Sequence, residues 1–390
     1  MTSEAAPRIL IVGTGALASL IGGRLASRTA AHVTLAGSWQ AALEAMSNEG
    51  ITLEAPAGTA TETEQGSAAG DSIAGGATTG SKAAGGATTG DAAAASTGAV
   101  GISSTRTARV DAARVDGPLE PADIVLVLVK SYQSNAVAQH AARALADSGV
   151  IVTLQNGLGN REILAAQAGT DRVTLGVTSI GATLLAPGRV RLAGVGRTVL
   201  GAPATLSSQR VMRLRELAAL LVQAGLPTEL QADVDALLWR KLAASCAVNP
   251  LTALLQVTNG ELLQRSQTRA AMRAAALEVG RVAGTLGIEL GVDPAAYAED
   301  VARQTAGNLS SMLQDISRGS RTEIEAINGA VVREGRRLSV PTPVNEWLYS
   351  AVRDLEDGRR RDGPLLPKWV SHALDQAEPQ SGSHLEAVRA

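Results

Sequence analysis

Lysine is scarce in this sequence, with four against 31 arginines in 390 residues. One of the four, Lys241, stands in LWRKLAASCAVNPLTALL (238–255), an Ala- and Leu-rich run otherwise suited to a core. Cysteine is scarcer still: Cys246 alone excludes an intrachain disulfide and suits a reducing compartment. The four histidines, His32, His140, His372 and His384, fall outside every motif below, which argues against a histidine acid or a histidine-rich metal site. No apolar run approaches the length of a bilayer span. The opening MTSEAAPRILIVG lacks a basic stretch followed by an uninterrupted apolar one, so no secretory signal is expected and a cytoplasmic location is. A net charge of −2 gives no broad electrostatic reason to bind nucleic acid or a membrane surface. With 45% apolar and 18% charged residues, the chain has the composition of an ordinary globular protein long enough for two domains.

What is present begins with short apolar runs. RILIV (8–12), HVTLAG (32–37), DIVLVLV (123–129), VIVTL (150–154) and VTLGV (173–177) read as buried strands, with Ala-rich helical stretches between several of them. Strands alternating with helices predict an α/β domain over 1–231, its parallel sheet covered on both faces. RVMRLRELAALLVQAG (210–225) is amphipathic at helical spacing, and from 232 nearly everything to 358 reads as helix. An all-helical second domain is therefore expected over 232–375, with a boundary after the short apolar TEL segment (228–230). Residues 56–105 are Ala, Gly, Thr and Ser with two GGATTG copies. They hold too little apolar surface to offset ordering entropy and are expected to be a flexible insertion. The tail 376–390 is expected to be loose as well.

Gly13-Thr14-Gly15-Ala16-Leu17-Ala18 follows a strand and opens a helix, the context a dinucleotide-binding loop requires. Gly13 permits the turn, Gly15 lets backbone approach a pyrophosphate, and Ala18 lets helix and strand pack closely. The helix N-terminus would supply free N–H groups to the phosphates. At the end of the second strand, Ala36-Gly37-Ser38 has no acid for the ribose hydroxyls of NAD, which leans slightly towards NADP. In such sheets ligands bind outside the carboxyl ends of the strands. That places Lys130, after DIVLVLV, and Asn156, after VIVTL, near a cofactor, although a solvent-reaching lysine and an ordinary turn are the simpler alternatives.

Lys241, Ser245 and Asn249 fall at i, i+4 and i+8, one face of a helix that Pro250 is expected to end or kink. A lysine among small apolar neighbours loses hydration, its pKa falls, and it becomes suited to donating a proton. In GNLSSMLQDISRGSRTEIEAING (307–329), Glu323 borders an apolar face built of Ile324, Ile327 and Val331. It is either a buried carboxylate serving Lys241 or a substrate, or one half of a Ser320–Glu323 capping box. Asn308, Ser310 and Ser311 either ligate a small polar molecule or cap the helix that follows.

Taken together, GTGALA, LVLVKSYQ (126–133), LQNGLGN (154–160), APGRVRLAG (186–194), LWRKLAASCAVNPLTALLQVTNGEL and SSMLQDISRGSRTEIEAING resemble the ketopantoate reductase (2-dehydropantoate 2-reductase) family over most of the chain. The resemblance implies a Rossmann-type domain joined to a helical domain like the C-terminal domain of 6-phosphogluconate dehydrogenase, with ketopantoate bound in the cleft between them. It implies NADPH as cofactor and a route towards pantothenate and coenzyme A. Lys241 would be the general acid and Glu323 would orient the substrate, with Asn249, Asn308, Ser311 and Ser245 at substrate-contacting positions. Gly13, Thr14, Gly15, Ala16, Leu17 and Ala18 would hold the pyrophosphate, with Lys130 and Asn156 also on the cofactor side. The family commonly carries Asn at the place of Ser245, and a basic residue at the place of Gly37 or Ser38. The alternatives are a reductase of a different 2-oxo acid and a non-catalytic NADP-binding sensor. No interface announces itself, and a homodimer is left open.

Overall fold

The computed structural model describes residues 6–55 and 105–359. The expected insertion, apart from Thr105, and the tail from 376 lie outside the described residues. The first part of the chain runs β1 (Arg8–Val12), α1 (Ala16–Arg28), β2 (His32–Gly37), α2 (Gln40–Asn48), β3 (Ile51–Glu54), β4 (Thr105–Ala108), β5 (Asp111–Arg114) and β6 (Ala122–Val127). It continues with α3 (Ser134–Arg143), β7 (Leu145–Thr153), α4 (Asn160–Ala168), β8 (Val173–Thr178), β9 (Gly181–Ala186), β10 (Arg189–Gly194), β11 (Thr198–Gly201), α5 (Ser208–Gln223) and β12 (Thr228–Gln231).

The five apolar runs become β1, β2, β6, β7 and β8 of one sheet, ordered β12-β11-β8-β7-β6-β1-β2-β5. Ile9, Ile11, Ile124, Leu126 and Ile151 are fully buried there, as continuous apolar runs covered on both faces should be. Two features add to the expected parallel sheet covered on both faces. β11 runs antiparallel to β8. Residues 51–54, 105–108 and 181–194 also build a second sheet, ordered β4-β3-β10-β9, which packs on α1. Its strands are short and mix arginine with apolar residues (TRTA, RVRLAG), so none offers the uninterrupted run by which a buried strand is read.

The helical part comprises α6 (Asp235–Leu255), α7 (Ser266–Thr285), α8 (Pro294–Gln304), α9 (Ser311–Ser317), α10 (Asn328–Leu338) and α11 (Pro343–Glu356). α6 is its axis, burying Trp239, Leu242, Ala243, Cys246, Ala247 and Leu251 against the surrounding helices. Pro250 does not end this helix, which continues to Leu255. A proline deprives the carbonyl four residues earlier of its helical N–H. Here that carbonyl, on Cys246, instead accepts from Asn328 Nδ2 at 3.0 Å. The same Nδ2 donates to Asn345 Oδ1 at 2.9 Å, and Asn345 Nδ2 donates to Ala275 O and to Glu278. Burial pushes the Glu278 carboxyl up, against the N–H groups of Asn345 and Val344 that it accepts. Asn328→Ala leaves two buried acceptors without donors and is expected to cost about 2–3 kcal/mol, read as a lower urea midpoint. A loss below about 0.5 kcal/mol would mean that Asn328 does not support the proline-bearing turn.

Candidate active site

α6 carries Lys241 at the edge of the helical core, facing the carboxyl ends of β7 and β8. Its Nζ donates to Asn156 Oδ1 at 2.9 Å and to the Thr178 carbonyl at 2.8 Å. An ammonium has three N–H donors, so one is left for a further acceptor. Ser245, one turn along α6, lines a small pocket with Lys241, Asn156, Gly157 and Leu242. Burial lowers the Lys241 pKa to about 8, against the opposing pull of the Glu323 carboxylate. Lys241 can thus exist both charged and neutral near neutral pH, as a proton donor must.

Glu323 joins the two parts of the chain. Its Oε1 accepts the Ser131 N–H at 3.0 Å and its Oε2 accepts Asn156 Nδ2 at 3.0 Å. Asn156 is thereby held with its amide toward Glu323 and its carbonyl toward Lys241. The Ser320–Glu323 pattern forms no capping box, because the next helix begins only at Asn328 and the carboxylate turns to the other domain. Lys130 Nζ donates to Asp315 Oδ2 at 2.6 Å and lies 3.8 Å from Glu323 Oε2. Burial would lower the Lys130 pKa, but Glu323 and Asp315 outweigh it and hold the ammonium above its ordinary value. Burial also raises the Asp315 carboxyl, against Lys130.

Behind this cluster, Gln155 Nε2 donates to Val129 O and Ser134 Oγ, both at 2.8 Å. Ser134 Oγ donates to Asn160 Oδ1 at 2.8 Å, and Asn160 Nδ2 to Asn156 O at 3.0 Å. The loop bearing Asn156 is therefore anchored on both sides. Gly157 brings it against the helical part: its φ is +81°, and the Leu158 N–H donates to Ala326 O at 2.9 Å. A Cβ on Gly157 would stand 2.2 Å from that same oxygen. Arg321 lies over the Tyr132 ring, 5.0 Å from its centre, as a further contact between the domains.

Of the residues singled out in the sequence, Lys241, Ser245, Asn156, Glu323 and Lys130 converge. Asn249, Asn308 and Ser311 stand apart from that cluster. Asn249 lies two turns beyond Lys241 on α6, roughly 12 Å along the axis, while Asn308 and Ser311 are exposed near the start of α9. Ser310 is the cap of α9, its Oγ accepting the Leu313 N–H at 3.1 Å. Asp315, Gln155, Ser134 and Asn160 were not singled out, although each lies within or beside a stretch already quoted. Thr178 and Ser131 serve through backbone atoms, for which no side-chain signal exists.

Across the cleft, Gly13 (φ +137°) turns the chain from β1 into α1. Gly15 precedes α1 without a side-chain cap, so the first N–H groups of that helix have no partner within it. The space over Gly15 is open to 4 Å, while Ala18 is fully buried beneath. These features fit a pyrophosphate. A Cβ at Gly37 would come within 2.8 Å of the Thr14 side chain, so a larger residue at that position of β2 would force Thr14 in the loop to move. Among the described residues, no cluster of His, Cys, Asp and Glu is arranged to hold a metal, and no helix is long and apolar enough to cross a membrane.

A sheet with a dinucleotide-type loop at its carboxyl edge, faced by a lysine of lowered pKa on a helical domain, defines a two-domain oxidoreductase of the Rossmann class. The chain belongs to the ketopantoate reductase (PanE/ApbA) family: the family model "Ketopantoate reductase PanE/ApbA" matches residues 9–205 and its C-terminal counterpart matches 233–356. A 2-dehydropantoate 2-reductase of Archaeoglobus fulgidus is 40% identical over 240 residues, 61% of this chain and 78% of the relative. One of Halobacterium salinarum is 32% identical over 346 residues, 89% of this chain and 98% of the relative. The crystal structure of a PanE/ApbA family ketopantoate reductase from Ralstonia eutropha superposes with a TM-score of 0.71 at 28% identity, covering 90% of this chain and 99% of that one. D-mandelate dehydrogenase, solved with NADH and anilino(oxo)acetate, shares the fold (TM-score 0.73, 22% identity, 90% of this chain and 99% of that one).

Proposed function

We propose that this protein reduces 2-dehydropantoate to (R)-pantoate with NADPH, in the cytoplasm, on the way to pantothenate and coenzyme A. The observation that carries the reading is Lys241: a desolvated ammonium with one free donor, held by Asn156 and the Thr178 carbonyl in a pocket facing the carboxyl edge of the sheet. The first turn of α1 and the backbone of Gly13–Ala18 would hold the pyrophosphate of a bound dinucleotide, which would supply the hydride.

As C2 of the 2-oxo acid becomes bonded to hydrogen, the carbonyl π pair moves onto oxygen. Lys241 Nζ gives that oxygen its proton and is left neutral, to be recharged from solvent. The ammonium also attracts the negative charge developing on oxygen before transfer is complete. Glu323 acts by fixing Asn156, and through it the direction of Lys241, and by orienting the substrate. Ser245 contacts the substrate beside Lys241. Gly157 and the Lys130–Asp315 pair keep the two domains together around the pocket, which excludes water from the reacting atoms.

Ser245 favours a second reading, a reductase of another 2-oxo acid, because a short hydroxyl leaves room on that side of the pocket. Steady-state NADPH oxidation, with 2-dehydropantoate against smaller 2-oxo acids, separates the two. A kcat/KM highest for 2-dehydropantoate supports the first reading. A preference for another acid, reversed by Ser245→Asn, would replace it with the second.

A further inference from the structure

The carboxyl end of β2 carries no basic residue, yet the strand beside it does. β5 pairs in parallel with β2, with Arg114 in register with Gly37, and the Val115 N–H donates to Gly37 O at 3.1 Å. Paired residues of parallel strands direct their side chains to the same face of a sheet. Gly37 has only hydrogen on that face, directed at Thr14 of the glycine loop. Arg114 is the next side chain along the sheet edge, at the end where a dinucleotide's adenosine lies in folds of this kind. Its guanidinium is exposed but held: Nε donates to Asp116 Oδ1 at 2.9 Å and Nη2 to Asp116 Oδ2 at 2.8 Å. That two-point pairing fixes the plane of the fork and leaves Nη1 without a partner in it.

We propose that Arg114, positioned by Asp116, binds the 2′-phosphate of the dinucleotide and sets the preference for NADPH over NADH. The proposal rests on the dinucleotide reading given above. It assigns the role of a missing base at positions 37 and 38 to a neighbouring strand. Thr14 crowds the face of Gly37, and Arg114 stands in register with Gly37 on the adjacent strand. Asp116 is then a positioning residue: it holds one edge of the guanidinium through both its oxygens.

The test is equilibrium binding, by calorimetry, of NADPH, NADH, 2′,5′-ADP and 5′-ADP to the full chain and to Arg114→Gln and Arg114→Lys. A charged hydrogen bond to phosphate corresponds to a loss of roughly tenfold or more in affinity. Arg114→Gln is expected to weaken NADPH and 2′,5′-ADP to that extent and to move NADH and 5′-ADP by less than about twofold. Arg114→Lys, which keeps the charge without the fork, is expected to fall between. Thermal unfolding shows whether each variant is folded, and a side chain this exposed can be replaced without loss of core packing. Equal weakening of all four nucleotides, or of none, would overturn the role of Arg114. A wild type that binds NADH as tightly as NADPH would overturn it while leaving the dinucleotide site intact. A wild type that binds no nucleotide would overturn both.

Discussion

Lys241→Ala is expected to lower kcat for 2-dehydropantoate by ~10²–10⁴-fold, the range over which a positioned general acid contributes. Two effects combine in that loss. The proton donor disappears, and so does the one positive charge placed against the developing alkoxide in a poorly hydrated pocket. Folding should survive. The native state already keeps this ammonium at a pKa of about 8, well below the usual lysine value, so burial of the charge opposes folding below that pH and alanine removes the penalty. Removal also frees Thr178 O and Asn156 Oδ1, and Asn156 lines the pocket, where water can enter in place of the side chain. Dinucleotide affinity, which depends on the glycine loop, is expected to change by less than about twofold. A variant retaining kcat within about threefold would show that the proton comes from elsewhere.

Gly157→Ala is expected to cause the largest structural loss of any single methyl addition near the site. Alanine at φ +81° is strained by about 1–2 kcal/mol. The added carbon also falls 2.2 Å from Ala326 O, a backbone atom that cannot turn aside. The loop and the helical domain must then separate, breaking the Leu158–Ala326 hydrogen bond and drawing Asn156 away from Lys241 and Glu323. A fall of about 2–4 kcal/mol in unfolding free energy and at least a tenfold drop in kcat/KM are expected. Gly159→Ala is the control. Gly159 also has positive φ, at +90°, but open space where a Cβ would go. Strain alone would make the two variants alike. A much larger effect at 157 would show that the contact between domains is what matters.

The strands and the glycine loop were legible because each is a local signal. A run such as ILIV or IVLVLV is buried on both faces whatever surrounds it, and the loop needs only its own glycines and the helix it opens. Lys241 was legible through the contrast between its charge and its apolar helix. What escaped depends on partners far away in sequence. Pro250 looked like a helix end or kink because the group that compensates it, Asn328 Nδ2, comes from 82 residues beyond the carbonyl it serves. Glu323 was singled out, but the sequence left it open between a buried carboxylate and a capping box, because its actual partners, Ser131 and Asn156, lie 192 and 167 residues away. Local chemistry offered the carboxylate a cap, whereas the cleft offers it the Ser131 N–H, the Asn156 amide and a nearby ammonium. The second sheet escaped for a related reason. Its four short strands share α1 as a packing partner, which no one of them announces.

Whether Lys241 donates the proton is read from the pH dependence of kcat/KM for 2-dehydropantoate with NADPH. The donor works only when charged, so the rate must fall as pH rises through its pKa of about 8 in the free enzyme. Glu323 raises that pKa, so the alkaline limb of Glu323→Gln should lie at lower pH than that of the wild type. A wild-type profile flat to about pH 9.5, or a limb that Glu323→Gln leaves in place, would contradict the assignment.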